Sequence, residues 1–583
     1  MYFAGFALRS NEGMTSRANR FLLCASAGLL MLAGGLVVPA HLRAVDTGVL
    51  QRAGRNTTGL VQRGLALVRE DQLGAAQLLL EAGQAEGLPG WQELGLALTY
   101  SATQHPGWRV WGGGDARLER FFSSDPDAPK SGSEPFTDFA VREQNRAVGL
   151  ELLRASALPG VRELLQCRTL TNTIIFSPSQ SASGQVLDTA LVVGGLLLEG
   201  GHLSAGLSNA LSELAFESNR GVEPQRLEAV LLDLMSLGQR FNWGQLVTFV
   251  GQIQDAETLR LLANLARKSD GQLPVLFAAV QLSGRPARVA AYLMKFSQTG
   301  MKDLGASLRF GAGGVKELLQ SNRRLHSSGF RRQMARLAPF AAVFSLASDL
   351  CWRNLRLALT VKWLLCLAGG FLLAAALHYA RPPTSALERP LQVRGFHLAR
   401  EGLFALGFLL VVLLLSEPFL AQESQRVELP FRLRLPTVGS VVPVGTSGVN
   451  RSIMNQLSLL TLLLFFVLQA LLYTASLVKL AEIRRQNLPS RIKLKLLENE
   501  DHLFDAGLYL GFAGTIISLI LVSLGVIQPS LMAAYSSTSF GIIFVSVFKI
   551  FHLRPERRKL LLEAEAASTE PLAPIRPRLA TPA

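Results

Sequence analysis

The chain has 583 residues, of which 49% are hydrophobic and 17% charged, and its formal net charge is +15. Soluble domains usually carry about 25% charged residues, so this composition excludes disorder over most of the length and argues against a wholly soluble protein. The basic excess does not indicate nucleic-acid binding, because the basic residues cluster beside long apolar segments, where they orient membrane helices. Four cysteines are too few for a disulfide framework in a chain of this length.

Six apolar segments are long enough, or nearly so, to cross a hydrocarbon core about 30 Å thick, which takes roughly 20 helical residues. The first falls within residues 1–40, where basic residues precede it and Val38-Pro39-Ala40 ends it. This pattern is typical either of a signal anchor or of a cleavable signal peptide, and both export the residues that follow. The segments are Phe21–Ala40, Val361–Ala380, Gly402–Leu420, Gln456–Val478, Phe504–Val526 and Leu531–Phe551.

Residues 41–355 contain no such segment, and their apolar residues, such as Leu60, Leu67 and Leu73, recur at helical spacing. Short helices separated by Gly and Pro predict an exported α-helical domain of stacked antiparallel pairs. The sequence leaves open whether the domain is repeat-like or irregular, because no fixed period is found. Residues 123–138 are rich in Ser, Pro and Gly and predict a mobile loop in this domain.

Basic residues cluster in 381–400, 479–495 and 549–559, which predicts that these stretches and the N-terminus are cytoplasmic. The large domain and residues 421–455 are then periplasmic in a multipass inner-membrane protein. Alternation of apolar and polar residues from Val427 to Leu435 predicts a small β patch in the 421–455 loop. Two membrane helices are predicted within 361–420, and residues 553–583 form a cytoplasmic tail. Glu417 is interpreted as an interfacial residue rather than an intramembrane functional acid.

The fold class predicted from these patterns is an all-α membrane protein with about six transmembrane helices, a large exported helical domain and a small β patch. No motif indicates catalysis, a metal site or a cofactor. The eight histidines have no metal-ligand spacing, and the sequence contains neither a phosphate-binding Gly-rich loop followed by Lys-Ser/Thr nor a Gly-x-Ser-x-Gly elbow. We therefore expect neither an enzyme nor a cofactor, and an enzyme with a membrane anchor is only the third possibility considered.

Small and weakly polar residues recur at helical spacing in each of the last two apolar segments. Small residues allow close approach between membrane helices, and hydroxyl groups can hydrate or relay an ion. The sequence predicts that these residues either pack the two helices together or line an ion path. The candidate residues are Gly511, Gly514, Thr515 and Ser518 in the fifth segment and Ala534, Thr538 and Gly541 in the sixth.

Two of these stretches resemble motifs of the MotA/TolQ/ExbB proton-channel superfamily. Gly511-Phe-Ala-Gly514-Thr515 is similar to its Gly-Leu-x-Gly-Thr motif, and Ala534-Tyr-Ser-Ser-Thr538-Ser-Phe-Gly541 is similar to the Ala-Leu-x-x-Thr-x-x-Gly motif on the next helix. The resemblance covers a predicted three-helix membrane domain at 456–552. The chain departs from the family at Ala533, where TolQ and ExbB carry an acid, and in its shorter cytoplasmic connection before the fifth segment.

The resemblance implies a stator-type subunit that assembles as a homo-oligomer and couples ion flow to work in the cell envelope. It also implies an ExbD-, TolR- or MotB-like partner chain, which supplies the proton-binding aspartate. The alternative is a non-conducting, membrane-anchored scaffold or receptor whose exported helical domain binds proteins. Both hypotheses place the chain in a lipid bilayer, and neither involves nucleic acid.

Overall fold

A computed structural model describes residues 2–115, 133–269, 271–329, 333, 338–380, 396–419, 456–523 and 531–569. The described residues are mostly helical, as the sequence predicts, and they divide into two compact units. The membrane unit comprises Met1–Arg43 and Asn354–Ala583, and the inserted unit comprises Ala44–Arg353. In the chain, the inserted unit therefore follows the first helix, α1 (Tyr2–Val37), and precedes all the other helices of the membrane unit.

The inserted unit consists of helices joined by short connections, together with one two-stranded sheet among its described residues. In that sheet β1 (Ala44–Asp46) pairs in parallel with β2 (Arg324–His326), and the sequence patterns did not predict it. The helices are α2 (Thr47–Gly54), α3 (Leu60–Arg69), α4 (Leu73–Ala85), α5 (Trp91–Gln104), α6 (Pro106–Trp111), α7 (Phe136–Ala140), α8 (Glu143–Arg154), α9 (Pro159–Gln166), α10 (Gln185–Glu199), α11 (Ala205–Asn219), α12 (Pro224–Gly238), α13 (Trp243–Val250), α14 (Ala256–Lys268), α15 (Leu273–Ser283), α16 (Pro286–Leu308), α17 (Gly311–Ser321) and α18 (Ala338–Arg353).

The packing of these helices favours an irregular all-helical domain over an open repeat array. Neighbours in sequence pack together, as in α3 with α4 and α15 with α16, but α2 also packs against α17 and α18, and α4 against α15. The first helices therefore contact the last ones and close the unit. Its core includes the fully buried rings of Phe241, Phe249 and Phe277, whose centroids lie 5.1 to 5.9 Å apart.

The prediction of a mobile loop at 123–138 is wrong at its C-terminal end, because residues 136–138 belong to α7. The Phe136 side chain is fully buried, and its backbone N–H donates to the carbonyl of Phe241 at 2.9 Å. The Thr137 hydroxyl donates to the Met235 carbonyl at 3.0 Å. The residues before Phe136 are polar, and for this reason the sequence analysis extended the loop over the short buried helix that begins there. Residues 116–132 lie outside the described part of the chain.

The membrane unit continues after Arg353 with long helices. A π-helical turn, Lys549–Leu553, joins its last two helices. The helices are α19 (Leu355–Ala380), α20 (Phe396–Ser416), α21 (Gln456–Arg485), α22 (Ser490–Asn499), α23 (Asp501–Phe504), α24 (Ala506–Ser523), α25 (Leu531–Phe548) and α26 (Arg554–Thr569). The first half of the predicted cytoplasmic tail is therefore helical, and residues 570–583 lie outside the description.

Four helices in the described residues are long and apolar enough to cross a membrane. They cover Ala18–Val37, Leu355–Ala380, Leu459–Arg485 and Tyr535–Ala566. The length and composition of these helices support the predicted membrane protein. The predicted number of six membrane-spanning helices is not confirmed. The predicted third and fifth segments form α20 and α24, and neither helix is among the four. The apolar part that is described in α24, Ala506–Ile520, is shorter than the four spans. The predicted β patch in 421–455 lies outside the described residues.

Helix α1 packs along α19 through glycines. A Cβ atom added to Gly28 would lie 3.2 Å from the carbonyl oxygen of Gly369, and one added to Gly369 would lie 3.0 Å from that of Gly28. Farther along, a Cβ on Gly35 would lie 2.8 Å from the Cys366 sulfur. Contact between small residues is the usual way in which membrane helices approach each other. The first helix is therefore a packed component of the membrane unit.

Two buried charged side chains hold the chain where it leaves α1, and we call Lys362 and Glu417 the exit clasp. The Lys362 ammonium donates to the Ala40 carbonyl at 2.8 Å, and Glu417 accepts from the Leu42 N–H at 2.9 Å. Lys362 Nζ and Glu417 Oε1 are 3.6 Å apart, and the side chains are 2% and 0% exposed. Glu417, interpreted from the sequence as an interfacial residue, is thus enclosed by protein.

The exit clasp predicts that α1 remains in the mature protein as an anchor and is not removed as a signal peptide. The candidate cleavage site is inaccessible, because Val38 and Ala40 are 6% and 0% exposed and the Ala40 carbonyl is bound by Lys362. We expect intact mass spectrometry of the protein purified from membranes to show a chain that includes Phe21–Ala40. A mature N-terminus at His41 would contradict this prediction.

Candidate functional site

Helices α24 and α25 approach each other closely at the glycines of the two sequence motifs. A Cβ on Gly511 would lie 2.8 Å from the Ser537 carbonyl oxygen, and one on Gly541 would lie 2.7 Å from that of Gly507. Real Cβ atoms do not come this close to backbone atoms, so neither position accepts a side chain without a shift of the helices. The small residues thus bring the two backbones into direct contact.

Thr515 and Thr538 meet across this contact, with their hydroxyl oxygens 2.6 Å apart. Both hydroxyls are also within hydrogen-bond distance of the Gly511 carbonyl, at 3.1 Å for Thr515 and 3.2 Å for Thr538. Each hydroxyl has one proton to donate, and the short oxygen–oxygen contact requires one of them. Either Thr538 donates to Thr515 and Thr515 donates to the Gly511 carbonyl, or Thr515 donates to Thr538 and Thr538 donates to that carbonyl. The same positions of the heavy atoms therefore allow two arrangements of the hydroxyl protons.

The third helix of this group, α21, contributes Gln469, which the sequence analysis did not select. The Gln469 amide donates to the Gly507 carbonyl at 2.9 Å, and the residue is 1% exposed. A Cβ on Gly541 would lie 3.3 Å from the same amide nitrogen. Gln469 thus binds at the point where α24 and α25 touch. An amide side chain in the middle of the fourth apolar segment was the available sequence signal.

Two buried polar atoms lie close to the same glycines. A Cβ on Gly514 would lie 2.4 Å from the Ser537 hydroxyl and 2.9 Å from the Phe465 ring, so α21 also reaches this level. Within the described part of the chain, the Ser537 hydroxyl and the Gln469 carbonyl oxygen have no hydrogen-bond partner, and both residues are at most 1% exposed. The interior between α21, α24 and α25 is therefore polar in two places, at Gln469 beside Gly507 and at Ser537 beside Gly514.

Of the seven candidate residues, the structure brings five to the contact of α24 with α25. Ser518 is half-buried and takes no part in the threonine contact. Ala534 belongs to α25, but its side chain is outside the described residues. The five residues at the contact are Gly511, Gly514, Thr515, Thr538 and Gly541.

The connection between α21 and α24, which the sequence marked as shorter than in the family, forms a packed helical layer with α26. Ser490 of α22 donates to Glu563 of α26 at 3.1 Å. Ion pairs fix the ends of the layer, with Lys549 2.7 Å from Asp505. Its apolar core consists of Leu480, Ile483, Leu497, Phe504, Phe548, Leu553 and Leu560.

Buried polar side chains of the inserted unit bind its own backbone. Glu228 is 2% exposed and accepts hydrogen bonds from the backbone N–H groups of residues 174–176. Burial raises the pKa of the Cys167 thiol to about 12, so it stays protonated at neutral pH. Throughout the described ranges, no group of three or more His, Cys, Asp or Glu side chains converges on a metal site.

Comparison with protein-family models, with curated proteins and with solved structures finds no match to this chain. Two kinds of observation therefore support a functional hypothesis. The first is the resemblance of two short motifs to one superfamily. The second is the geometry that joins those motifs, namely the glycine contact, the threonine pair and the Gln469 amide.

Gly541→Ala should lower the stability of the membrane unit, because its Cβ would lie 2.7 Å from the Gly507 carbonyl. Overpacking of this kind costs about 1–3 kcal/mol. Gly402→Ala in α20 is the matched control, since no atom lies within 4 Å of its Cβ position. Thermal unfolding in detergent should show a lower midpoint for Gly541→Ala only. Equal midpoints for both variants would show that the helices are not in contact at Gly541.

Proposed function

We propose that this chain is a multipass inner-membrane protein whose helices α21, α24 and α25 act as a stator-type subunit of a complex that couples ion flow to work in the cell envelope. One observation carries the proposal. Thr515 and Thr538 belong to two different motifs and are 23 residues apart in the sequence, yet their hydroxyl oxygens lie 2.6 Å from each other. A shared functional position explains why both motifs contain a hydroxyl at this point.

The two threonines differ in accessibility, which suggests how the pair would act. Thr515 is 8% exposed, whereas Thr538 is half-buried. An ion or a protonated group next to the protomer would therefore reach the Thr538 hydroxyl first. Hydroxyl oxygens can replace water around an ion. The reversible order of donation through Thr515 to the Gly511 carbonyl would let the pair present either a donor or an acceptor without moving heavy atoms.

A partner chain is part of this proposal, because α24 and α25 contain no acidic residue. The titrating carboxyl group must then come from outside these helices, as the resemblance to subunits that surround an ExbD-, TolR- or MotB-like chain implies. Exposed apolar side chains on α24 and α25, among them Phe512, Ile517 and Ile543, supply surface for lipid or for further copies of the chain. We therefore propose a homo-oligomer around a separate partner.

A non-conducting scaffold or receptor is the second candidate, and one observation favours it. The hydroxyls of Thr515 and Thr538 find hydrogen-bond partners within one chain, so helix packing alone accounts for the pair. In this case the inserted unit would bind envelope proteins, and the membrane helices would only hold it in place. The two candidates differ in one measurable property, which is ion flux that depends on the hydroxyl groups.

Replacing both threonines tests whether ion flux depends on their hydroxyl groups. The replacing side chains must be small enough for the 2.6 Å contact between the two positions. Valine is unsuitable, because two methyl groups need about 4 Å where the oxygens are 2.6 Å apart. The double variants Thr515→Ala/Thr538→Ala and Thr515→Ser/Thr538→Ser both lose the methyl groups, but only the first loses the hydroxyls. We expect the Ala variant to lower proton flux on the order of tenfold, the factor that corresponds to about 1.4 kcal/mol.

The flux is measured in proteoliposomes that contain the chain and its candidate partner, with the Ser variant as the control. The Ser variant should retain most of the wild-type flux, and all three proteins should assemble equally. Equal flux from the Ala and Ser variants, or a wild type without flux, would leave the scaffold as the remaining candidate.

The proposed inner-membrane orientation predicts which residues are accessible from outside. In the proposed orientation, the basic residues at the end of α21 and in α22 are cytoplasmic together with Asn499, and Ser181 of the inserted unit would be periplasmic. In a variant without the four native cysteines, single cysteines replace these two exposed residues. A membrane-impermeant maleimide on intact spheroplasts should label position 181 alone. Labelling at 499 but not at 181 would reverse the orientation.

A further inference from the structure

A small cavity lies in the membrane unit where α21 passes the N-terminal end of α24. Gln469 and Ser476 of α21, about two helical turns apart, and Gly507 of α24 contribute to its wall. The rest of the wall is mostly aromatic and includes the rings of Phe504 and Phe548, whose centroids are 5.0 Å apart. These two residues are 2% and 1% exposed, so this part of the wall is shielded from bulk solvent.

Gln469 brings an unpaired oxygen atom to this cavity. Its amide nitrogen donates to the Gly507 carbonyl, but its carbonyl oxygen has no hydrogen-bond partner within the described residues. That oxygen lies 2.8 Å from the point that a Cβ atom of Gly507 would occupy, so it faces the space left beside the glycine. An acceptor that is buried in this way is uncommon in native proteins unless a water molecule or a ligand binds it.

Ser476 supplies a second polar group to the same cavity. The residue is 5% exposed, and its hydroxyl makes no hydrogen bond to any other part of the chain that the structure describes. A hydroxyl group can both donate and accept. Cavities with purely apolar walls stay dry, whereas buried water molecules bind where at least about two polar groups can reach them. Gln469 and Ser476 together meet that requirement.

The size of the cavity limits what can bind there. It offers about 10 Å³ to the centre of a water-sized sphere, and one water molecule needs roughly 10–15 Å³ by the same measure. A single water molecule is therefore the largest ligand that fits without a shift of the helices. A metal cation in this space would need a negative charge beside it, and none of the described residues that line the cavity is acidic.

We propose that this cavity is a binding site for one structural water molecule. The water donates a hydrogen bond to the Gln469 carbonyl oxygen and shares a second one with the Ser476 hydroxyl. It satisfies the carbonyl end of an amide group whose other end holds the Gly507 carbonyl of α24. Binding of this water does not require ion flow, so the site goes beyond the proposed stator function and is equally expected in a scaffold.

X-ray radiolysis of the full-length protein in lipid nanodiscs and H₂¹⁸O tests for the bound water. Hydroxyl radicals formed from a bound water add its oxygen to side chains next to it, and mass spectrometry locates the label. We expect label on Phe504 or Phe548, whereas Phe249 and Phe277, equally buried in the inserted unit, should carry none. The label should persist when a soluble scavenger removes radicals from bulk water. An unlabelled wild type, or a label abolished by the scavenger, would overturn the proposal.

Ser476→Val identifies the site, because it removes the hydroxyl and fills the cavity while the bond from Gln469 to Gly507 remains. We expect this variant to lose the label. Ser537→Ala is the matched control, since it removes a buried, unpaired hydroxyl from a residue that does not line the cavity, and it should keep the label. If Ser476→Val does not assemble, Gln469→Met, which removes the acceptor at nearly constant size, should lose the label instead.

Three outcomes of the variant experiments contradict the proposal. A label that is unchanged in the assembled Ser476→Val protein would place the water elsewhere, as would equal loss of label from Ser476→Val and Ser537→Ala. A thermal unfolding midpoint of the wild type that is higher in sodium or potassium chloride than in choline chloride, and that loses this difference in Ser476→Val, would assign the cavity to a cation.

Discussion

Polar groups inside a membrane-spanning region must find partners within the protein, because the hydrocarbon core offers none. This constraint determines where the helices of the membrane unit can lie. The Lys362 ammonium donates to the Ala40 carbonyl just after α1, and the Gln469 amide donates to the Gly507 carbonyl of α24. Each polar residue thus fixes the position of a second element. A helix that moved away would leave a donor unpaired at a cost of several kcal/mol.

Where α24 meets α25, glycines make the polar contacts possible, because the side chains of Gln469, Thr515 and Thr538 donate to glycine carbonyls. A carbonyl of an α-helix is normally screened by the side chains around it, and at Gly507 and Gly511 that screen is absent. Gly541 lies opposite Gly507, whose carbonyl accepts from the Gln469 amide, and a Cβ on Gly541 would come within 3.3 Å of that amide nitrogen. Close packing and hydrogen bonding are therefore one arrangement, and they also position Thr515 against Thr538.

Features that depend on neighbouring residues in the sequence were predictable, whereas those that depend on distant residues were not. Helical spacing predicted the helical class, the apolar helices and the stripes at Gly511 and Thr538. The exit clasp joins residues more than 300 positions apart, and no periodicity indicates that Lys362 binds the Ala40 carbonyl. The pairing of β1 with β2 was missed for the same reason, since each strand has only three residues. The sequence selected both threonines as residues that pack the helices or line an ion path, while their direct contact and the two orders of proton donation through it required the structure.

The parallel strands β1 and β2 bear on how the inserted unit would withstand force. The chain enters the unit at Ala44, the first residue of β1, while β2 ends at His326 and is followed by α18, which ends the unit at Arg353. If α18 is pulled off α2, force on Ala44 and His326 slides one strand along the other. The backbone hydrogen bonds of the pair would then be loaded together instead of breaking one after another. Two strands that are sheared in this way break their hydrogen bonds at the same time. The force that separates them should therefore exceed the force that unzips a hairpin of equal length.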